Sequence, residues 1–507
     1  MADLSFEPLT YDDLAPEERP SLVQALVPLV GMLTFLGVGK LVFGLDPQLP
    51  LLWGIALTGA VGRYWLGIPW RRLYEGIVDG LVMGMQAILI IFVIYALIAT
   101  WMGAGTIPAL IYYGLDLLSP RVFLPAAALF AAVVAFAVGS SWTTAGTLGV
   151  AFIGIGVGLG VPEPMTAGAV LSGAYTGDKI SPLSDTTNLA AAVTNTDLMS
   201  HVRTMRVGTS IALGISVLGY AALGLGFDGA VPPGRIEAIQ GAIAGSFTVH
   251  PLVFVPLLLT FGLALRGYPA LPTLGMGAIV GALVQILVQG GPFVGTWTLA
   301  SLAQTVTAES FTAAWEVAQS GTAPETGVEQ VNSLLATDGL VGSAWTITII
   351  VAALALGGLL ERTGILAVVA HAIGRAVSSV AGLTAGTVAA AFSMNVLSAD
   401  QYMSIVVPGI SLRNIYDEFD LETRNLSRAV EAGGTTTSAL VPWNSGGVYM
   451  ATVLGVPTLA YAPYYFFGFL SPLVVVVMGL TGWRIARRGE ETEAGIAAAA
   501  RSLAEDD

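Results

Sequence analysis

The sequence predicts an all-α integral membrane protein. It is expected to be an inverted repeat of five transmembrane helices plus one re-entrant hairpin per half, with broken helices at a central site. Three observations lead there. The 507 residues are 55% hydrophobic and only 11% charged, with a mean hydropathy of +0.77. A soluble domain carries roughly 25% charged residues, so this chain could not cover its own surface, and the bilayer is its natural solvent. Several apolar stretches have the roughly 20-residue length of a spanning helix. Finally, a polar pattern in the first half recurs 260 residues later in the second.

The spans come first. Uninterrupted candidates are 21–44, 49–66, 80–100, 204–226, 249–265, 269–289, 340–360 and 461–486. Polar residues break the apolar stretches 121–160, 164–198, 381–411 and 427–456. Polar groups at membrane depth are costly, so these breaks are the informative places. The 62 glycines suit helices that pack closely in lipid.

The repeat comes next. At a shift of 260, SGAYTGDKISPLSDTTNLA at 172–190 falls on AGGTTTSALVPWNSGGVYM at 432–450. Gly173 meets Gly433, Thr176 meets Thr436 and Pro182 meets Pro442. Gly149 with Gly409, Gly208 with Gly468, Leu213 with Leu473 and Gly219 with Gly479 keep the same shift. The chain therefore reads as a tail at 1–20, a first half at 21–226, an external linker at 227–248, a second half at 249–486 with an external loop at 290–339, and a tail at 487–507. Stretches 101–118 and 364–378 read as helices along the interface, and 121–160 and 381–411 as the hairpins. An odd number of spans per half inverts the second half. With the N-terminus inside, sixteen arginines fall inside or at the inner edge, and only Arg121 and Arg235 fall outside, as the positive-inside rule asks. Both termini are then cytoplasmic.

The net charge of -14 gives no footing for nucleic acid. With no cysteine, disulfides, thiolate metal sites and thiol nucleophiles are excluded. Residues 1–20 are acidic and lack the basic region and apolar core of a signal peptide. No HExxH or GxSxG pattern is present, so an enzyme is not expected.

Thr176 to Asn188 is the strongest local signal. Gly177 and Pro182 argue against continuous helix, and Ser, Thr and Asp favour local caps. The expectation is an unwound linker between half-helices, with Asp185 capping the second. Its carboxylates Asp178 and Asp185, with Ser181, Ser184, Thr186 and Asn188, form a hard-oxygen set suited to a cation such as Na+, and Lys179 is expected to pair with Asp178 when the cation is absent. The mirror segment offers Thr436, Thr437, Asn444 and Ser445 but no carboxylate, with Glu431 one turn or so upstream. The hairpin tips bring Ser140, Ser141 and Thr143 from the first half and Asp400 from the second. Glu361 and Arg362 read as an interfacial pair, the three histidines as membrane-edge residues, and the aromatic run from Tyr461 to Phe467 as an interfacial belt.

GDKISPLSDTTNLA at 177–190, LVPWNSGG at 440–447 and YAPYYFFGF at 461–469 closely resemble the NhaC family of Na+/H+ antiporters. The likeness spans roughly 75–485. It implies the hairpin-bearing, elevator-type fold of the wider ion-transporter superfamily, with a scaffold, a mobile transport domain and a homodimer in the cell membrane. The implied substrates are Na+ and H+, with no cofactor. Asp178 is then the carboxylate for which Na+ and H+ compete, with Asp185 next. Because the family also resembles malate/lactate exchangers, a cation-coupled carboxylate exchanger is the alternative.

Overall fold

Helix boundaries follow the proline, glycine and capping signals of the chain. The computed structural model describes residues 9–227, 231 and 234–488. The first eight residues of the N-terminal tail, five residues of the linker and the tail from 489 onward, Arg501 included, lie outside the described residues. The described chain is helical, with one isolated bridge between Leu421 and Arg487.

The first half runs α1 Leu22–Phe43, α2 Gln48–Ala60, α3 Trp70–Met83, α4 Met85–Gly103, α5 Thr106–Leu117, α6 Pro120–Val138, α7 Ser141–Thr144, α8 Val150–Gly158, α9 Glu163–Ile180, α10 Asp185–Val193 and α11 Leu198–Gly224. The helix α12 Arg235–Ser246 precedes α13 Val255–Leu265 and α14 Ala270–Val284. Four short helices follow where the sequence showed only a loop: α15 Phe293–Thr296, α16 Leu299–Thr305, α17 Ala308–Ser320 and α18 Glu329–Leu335. The remainder is α19 Gly339–Arg362, α20 Ile365–Arg375, α21 Val380–Leu397, α22 Gln401–Ser411, α23 Arg413–Glu418, α24 Thr423–Gly433, α25 Ser445–Leu454, α26 Thr458–Tyr461 and α27 Phe466–Thr481.

Among the described residues, eight helices are long and apolar enough to cross a bilayer, or ten if two bent pairs each count as one crossing. The bends are 95° between α12 and α13 and 55° between α26 and α27. The span read at 80–100 starts instead at Met85, because α3 ends at Met83 and Gly84 separates the two helices. Both arms of the first hairpin, Pro120–Val138 and Ser141–Gly158, have spanning length.

Five helix starts in the first half, at 120, 141, 163, 185 and 198, recur at 380, 401, 423, 445 and 458. The 260-residue shift of the sequence thus governs element boundaries as well. It also governs packing. Gly173 on α9 sits against the Ala128 carbonyl and the Ala131 methyl of α6, and Gly433 on α24 sits against the Val388 carbonyl and the Ala391 methyl of α21. Gly177, one turn on, lies against the Ala132 carbonyl and Phe136 amide. Small residues four apart let two backbones touch, the usual means of close helix association in lipid.

Two interfacial readings change. Arg362 donates to Glu75 at 3.3 Å, while the Glu361 carboxylate accepts from the Leu9 backbone amide at 2.7 Å, so the two are not a pair. Tyr461, Tyr465 and Phe467 are fully buried rather than an interfacial belt. His201 is also fully buried, with Nδ1 at 2.7 Å from the Ser427 hydroxyl.

The glycine contacts give a direct test. Gly173→Ala places a methyl in the α6 backbone and should cost about 1–3 kcal/mol as overpacking. Gly214→Ala meets nothing within 4 Å and should be neutral or stabilising by up to ~1 kcal/mol. Thermal unfolding in detergent compares them directly.

Candidate functional site

α9 remains helical through Gly177, Asp178 and Lys179 and ends at Ile180. The unwound linker is therefore Ser181–Ser184, shorter than the expected Thr176–Asn188. Gly177 is there for the close approach to α6, and Pro182 makes the break. Ser184, not Asp185, caps α10, its hydroxyl accepting from the Thr187 amide at 3.4 Å. Asp185 occupies the first turn, where a carboxylate also suits the helix dipole.

The linker backbone is tied off by neighbouring side chains. Asn188 donates to the carbonyls of Pro182 at 3.0 Å and Ser184 at 2.6 Å. Thr187 donates to the Lys179 carbonyl at 3.2 Å, and the Ser181 hydroxyl accepts from the Leu183 amide at 3.3 Å. Asn188, Ser181 and Ser184 thus hold the break in shape. In the second half the chain is unwound from Gly434 to Asn444 apart from one short turn at Ser438–Leu440. Asn395 donates to the Gly434 carbonyl and to Thr437 Oγ1. Tyr461 donates to the Ala439 carbonyl at 2.6 Å and Tyr465 to that of Thr436 at 2.9 Å. Asn444 donates to the Asn395 carbonyl and to its Oδ1, both at 3.0 Å, and caps α25 through the Gly446 amide. Thr436 turns its hydroxyl back to the Ala432 carbonyl.

Both hairpin tips turn through positive φ, at Gly139 (71°) and at Ala399 (55°). The next residue caps the following helix in each case. The Ser140 hydroxyl accepts from the Thr143 amide at 3.1 Å, and Asp400 Oδ1 accepts from the Met403 amide at 3.0 Å. Ser445 reaches the other Asp400 oxygen at 3.3 Å.

Asp178 is 2% exposed. Ser141 donates to its Oδ2 at 2.6 Å, while Oδ1 is buried and has no hydrogen-bond partner. Asp185 accepts from the Thr186 amide at 2.9 Å and from the Tyr402 hydroxyl at 2.6 Å. Both carboxylates line one cavity of about 300 Å³, together with Ser140, Trp142, Thr143, Tyr268, Gln401 and Tyr402. No Lys, Arg or His is among its lining residues. Lys179 is turned away by its place one residue on along the helix: its ammonium donates to the Ser471 hydroxyl at 2.8 Å, and the carboxylate that acts on it is Glu431. Glu431 is fully buried, accepts weakly from Thr186 at 3.4 Å and leaves Oε2 unpaired. At the 260 shift the Ser141–Asp178 contact has a neutral counterpart, with Ser438 donating to Gln401 Oε1 at 2.7 Å.

The profile of the Na+/H+ antiporter family matches residues 51–187 and 173–483. This chain belongs to that family. Among its relatives is the arginine/ornithine antiporter ArcD of Halobacterium salinarum, 52% identical over 96% of this chain and 98% of that protein. The Na(+)/H(+) antiporter NhaC of Alkalihalophilus pseudofirmus is 34% identical over 92% of this chain and 97% of its own length. The malate-2H(+)/Na(+)-lactate antiporter of Bacillus subtilis is also 34% identical, over 91% and 95%.

Within this antiporter family chain, the structure brings Asp178, Asp185, Ser140 and Thr143 to one cavity, with Ser141 directly behind Asp178. It places Ser181, Ser184, Asn188, Thr437, Asn444 and Thr436 in backbone scaffolding, and Thr186, Lys179 and Glu431 in an adjoining buried cluster. Asp400 and Ser445 close the second tip. Sequence reasoning missed Gln401, Tyr402, Trp142, Asn395 and the buried tyrosines. Gln401 and Tyr402 follow Asp400 directly, so the tip motif itself was the available signal.

Removing one tie tests the scaffold. Asn395→Leu takes the side-chain donor from the Gly434 carbonyl and removes Asn395 Oδ1, one of the two acceptors of the Asn444 amide. Each buried group left unpaired should cost about 1–3 kcal/mol, seen as a lowered melting temperature.

Proposed function

We propose that this chain exchanges Na+ for H+ across the cytoplasmic membrane by alternating access, the two cations competing for Asp178. The observation that carries the reading is the half-satisfied carboxylate. One Asp178 oxygen is fixed by Ser141, and the other lies unpaired beside the cavity that Asp178 lines. A carboxylate in that setting holds either a proton or a hard cation, and exclusive occupancy gives exchange without further machinery. Asp185, Ser140, Thr143 and Gln401 offer further oxygens around the same space. The halves would be an inverted repeat, five spans and one hairpin each, with both termini cytoplasmic and the carrier a homodimer. Inverted repeats with broken helices at the midplane are a transporter architecture, and the 260-residue recurrence of helix starts supports this one.

A second reading rests on the cavity's size and lining. About 300 Å³ exceeds what one bare ion needs, and its walls carry two carboxylates, three aromatic rings and no basic side chain. Aromatic faces and carboxylates together suit an organic ammonium or guanidinium. With the Halobacterium relative, this favours a basic amino acid as the exchanged cation. The same lining weighs against malate or lactate, which would meet two negative charges there.

Sealed proteoliposomes with a trapped pH dye separate these readings. A Na+ pulse against an imposed pH gradient should collapse it, and Asp178→Asn should reduce the flux to that of empty liposomes at unchanged protein content. Under competition, the half-saturating Na+ concentration rises as pH falls while the maximal rate holds. If only arginine or ornithine moves protons or exchanges with its labelled counterpart, the basic amino acid is the substrate. Proton movement that requires malate or lactate would overturn both readings.

A further inference from the structure

A second cavity, of about 280 Å³, lies at the other end of the same helices. Along α4 the site cavity meets Gln86, Ala87 and Ile90, whereas the second meets Tyr95, Ile98 and Met102. At 1.5 Å per residue, the outer edges of the two cavities stand ~24 Å apart on this helix. Helix α9 repeats the arrangement: Asp178 lines the first cavity and Glu163, at the opposite end, lines the second. No residue lines both. The second cavity is also cation-friendly, with Glu163, Asp338 and the hydroxyls of Tyr95 and Thr452 in its wall. Those hydroxyls are joined through Thr346 at 2.9 and 3.0 Å.

What separates the cavities is thin and aromatic. Trp142, on the wall of the site cavity, stacks on Tyr449 with ring centroids 4.2 Å apart and planes 18° from parallel. The Tyr449 hydroxyl donates to the Trp142 carbonyl at 2.8 Å. One turn further along α25, Thr452, Val453 and Leu454 already line the second cavity. Ile94, fully buried on α4, closes the side between the two sets of α4 residues. Gly146 lies where these meet: a methyl there would come within 2.6 Å of Ile94 Cδ1 and 2.7 Å of the Tyr449 hydroxyl. Residues Ala145–Gly149 form a π-helical turn directly after the tip. Such widened turns concentrate at functional sites and hinges.

We propose that the two cavities are opposite-side vestibules of one cation pathway, and that the Trp142–Tyr449 stack, backed by Ile94 and Gly146, is the seal that keeps them apart. The proposal rests on the antiport reading but not on which cation is carried. A route through the stack would join both sides of the membrane and uncouple exchange, so the seal stays closed while the site changes the side it faces.

The chain has no cysteine, so single cysteines report cleanly. Ala87→Cys marks the site cavity and Thr452→Cys the second. The probe is the membrane-impermeant cation 2-(trimethylammonium)ethyl methanethiosulfonate, added to sealed right-side-out or inside-out vesicles. Each cysteine should be labelled from one side only, and the two from opposite sides. Adding Trp142→Ala should abolish that sidedness, so that either face labels both positions, while Trp142→Phe, which keeps an aromatic face, should preserve it. Labelling of both cysteines from the same side overturns the proposal without any partition variant being needed. Sidedness unchanged in folded Trp142→Ala or Tyr449→Leu protein also overturns it. Opposite-side labelling in a protein that moves neither Na+ nor amino acid would leave the partition standing and remove the antiport reading instead.

Discussion

A helix broken at membrane depth exposes carbonyls and amides to a medium that cannot hydrogen-bond them, and each unpaired group costs several kcal/mol. This chain breaks helices twice at equivalent positions, and much of its buried polarity exists to answer that cost. At the first break Asn188, Thr187 and Ser184 supply the bonds. At the second, Asn395, Tyr461 and Tyr465 reach in from α21 and the α26–α27 corner. The long second break needs long side chains from other elements, whereas the four-residue first break is served by its own flanks. Buried Tyr461 and Tyr465 are thereby explained: each hydroxyl ends on a carbonyl that the break left open.

The break also fixes where charge can stand. Because α9 stays helical to Ile180, successive residues point about 100° apart, and Asp178 and Lys179 face different surroundings. Asp178 meets Ser141 and the cavity, while Lys179 meets Ser471 and the Glu431 cluster. An unwound segment would have let the two collapse into an ion pair. A rigid helix keeps the carboxylate unneutralised by its neighbour, as the proposed cation site requires.

The sequence disclosed a good part of this. The apolar lengths, the 260-residue shift and the positions of both breaks were legible, because Pro182, Pro442 and the hydroxyl-rich runs violate helix rules in plain view. The extent of the first break was not, because Gly177 resembles a helix breaker in one dimension and is a contact surface in three. Tyr461 and Tyr465 looked interfacial for a similar reason. An aromatic run beside an apolar span reads as a membrane belt until the partner carbonyls, more than twenty residues away, are known. Capping was misassigned by one residue, since Ser184 and Asp185 are both good caps and only the backbone conformation decides.

The two halves differ most where their scaffolds agree best. Ser141 on Asp178 and Ser438 on Gln401 occupy the same pair of positions, 260 residues apart, with donor–acceptor distances of 2.6 and 2.7 Å. One pair can change charge and the other cannot. The same holds at the tips, with the neutral Ser140 against the acidic Asp400, each capping the helix that follows. Repetition thus provides two equivalent frames, and substitution within them leaves the first-half acids Asp178 and Asp185 facing the cavity while Asp400 is held by its cap and by Ser445. A carrier with two titrating frames would have to load both before moving as a neutral unit. Under the proposed exchange, a second pair that keeps the hydrogen-bond geometry without the charge retains the architecture and leaves the titrating role to the Ser141–Asp178 pair.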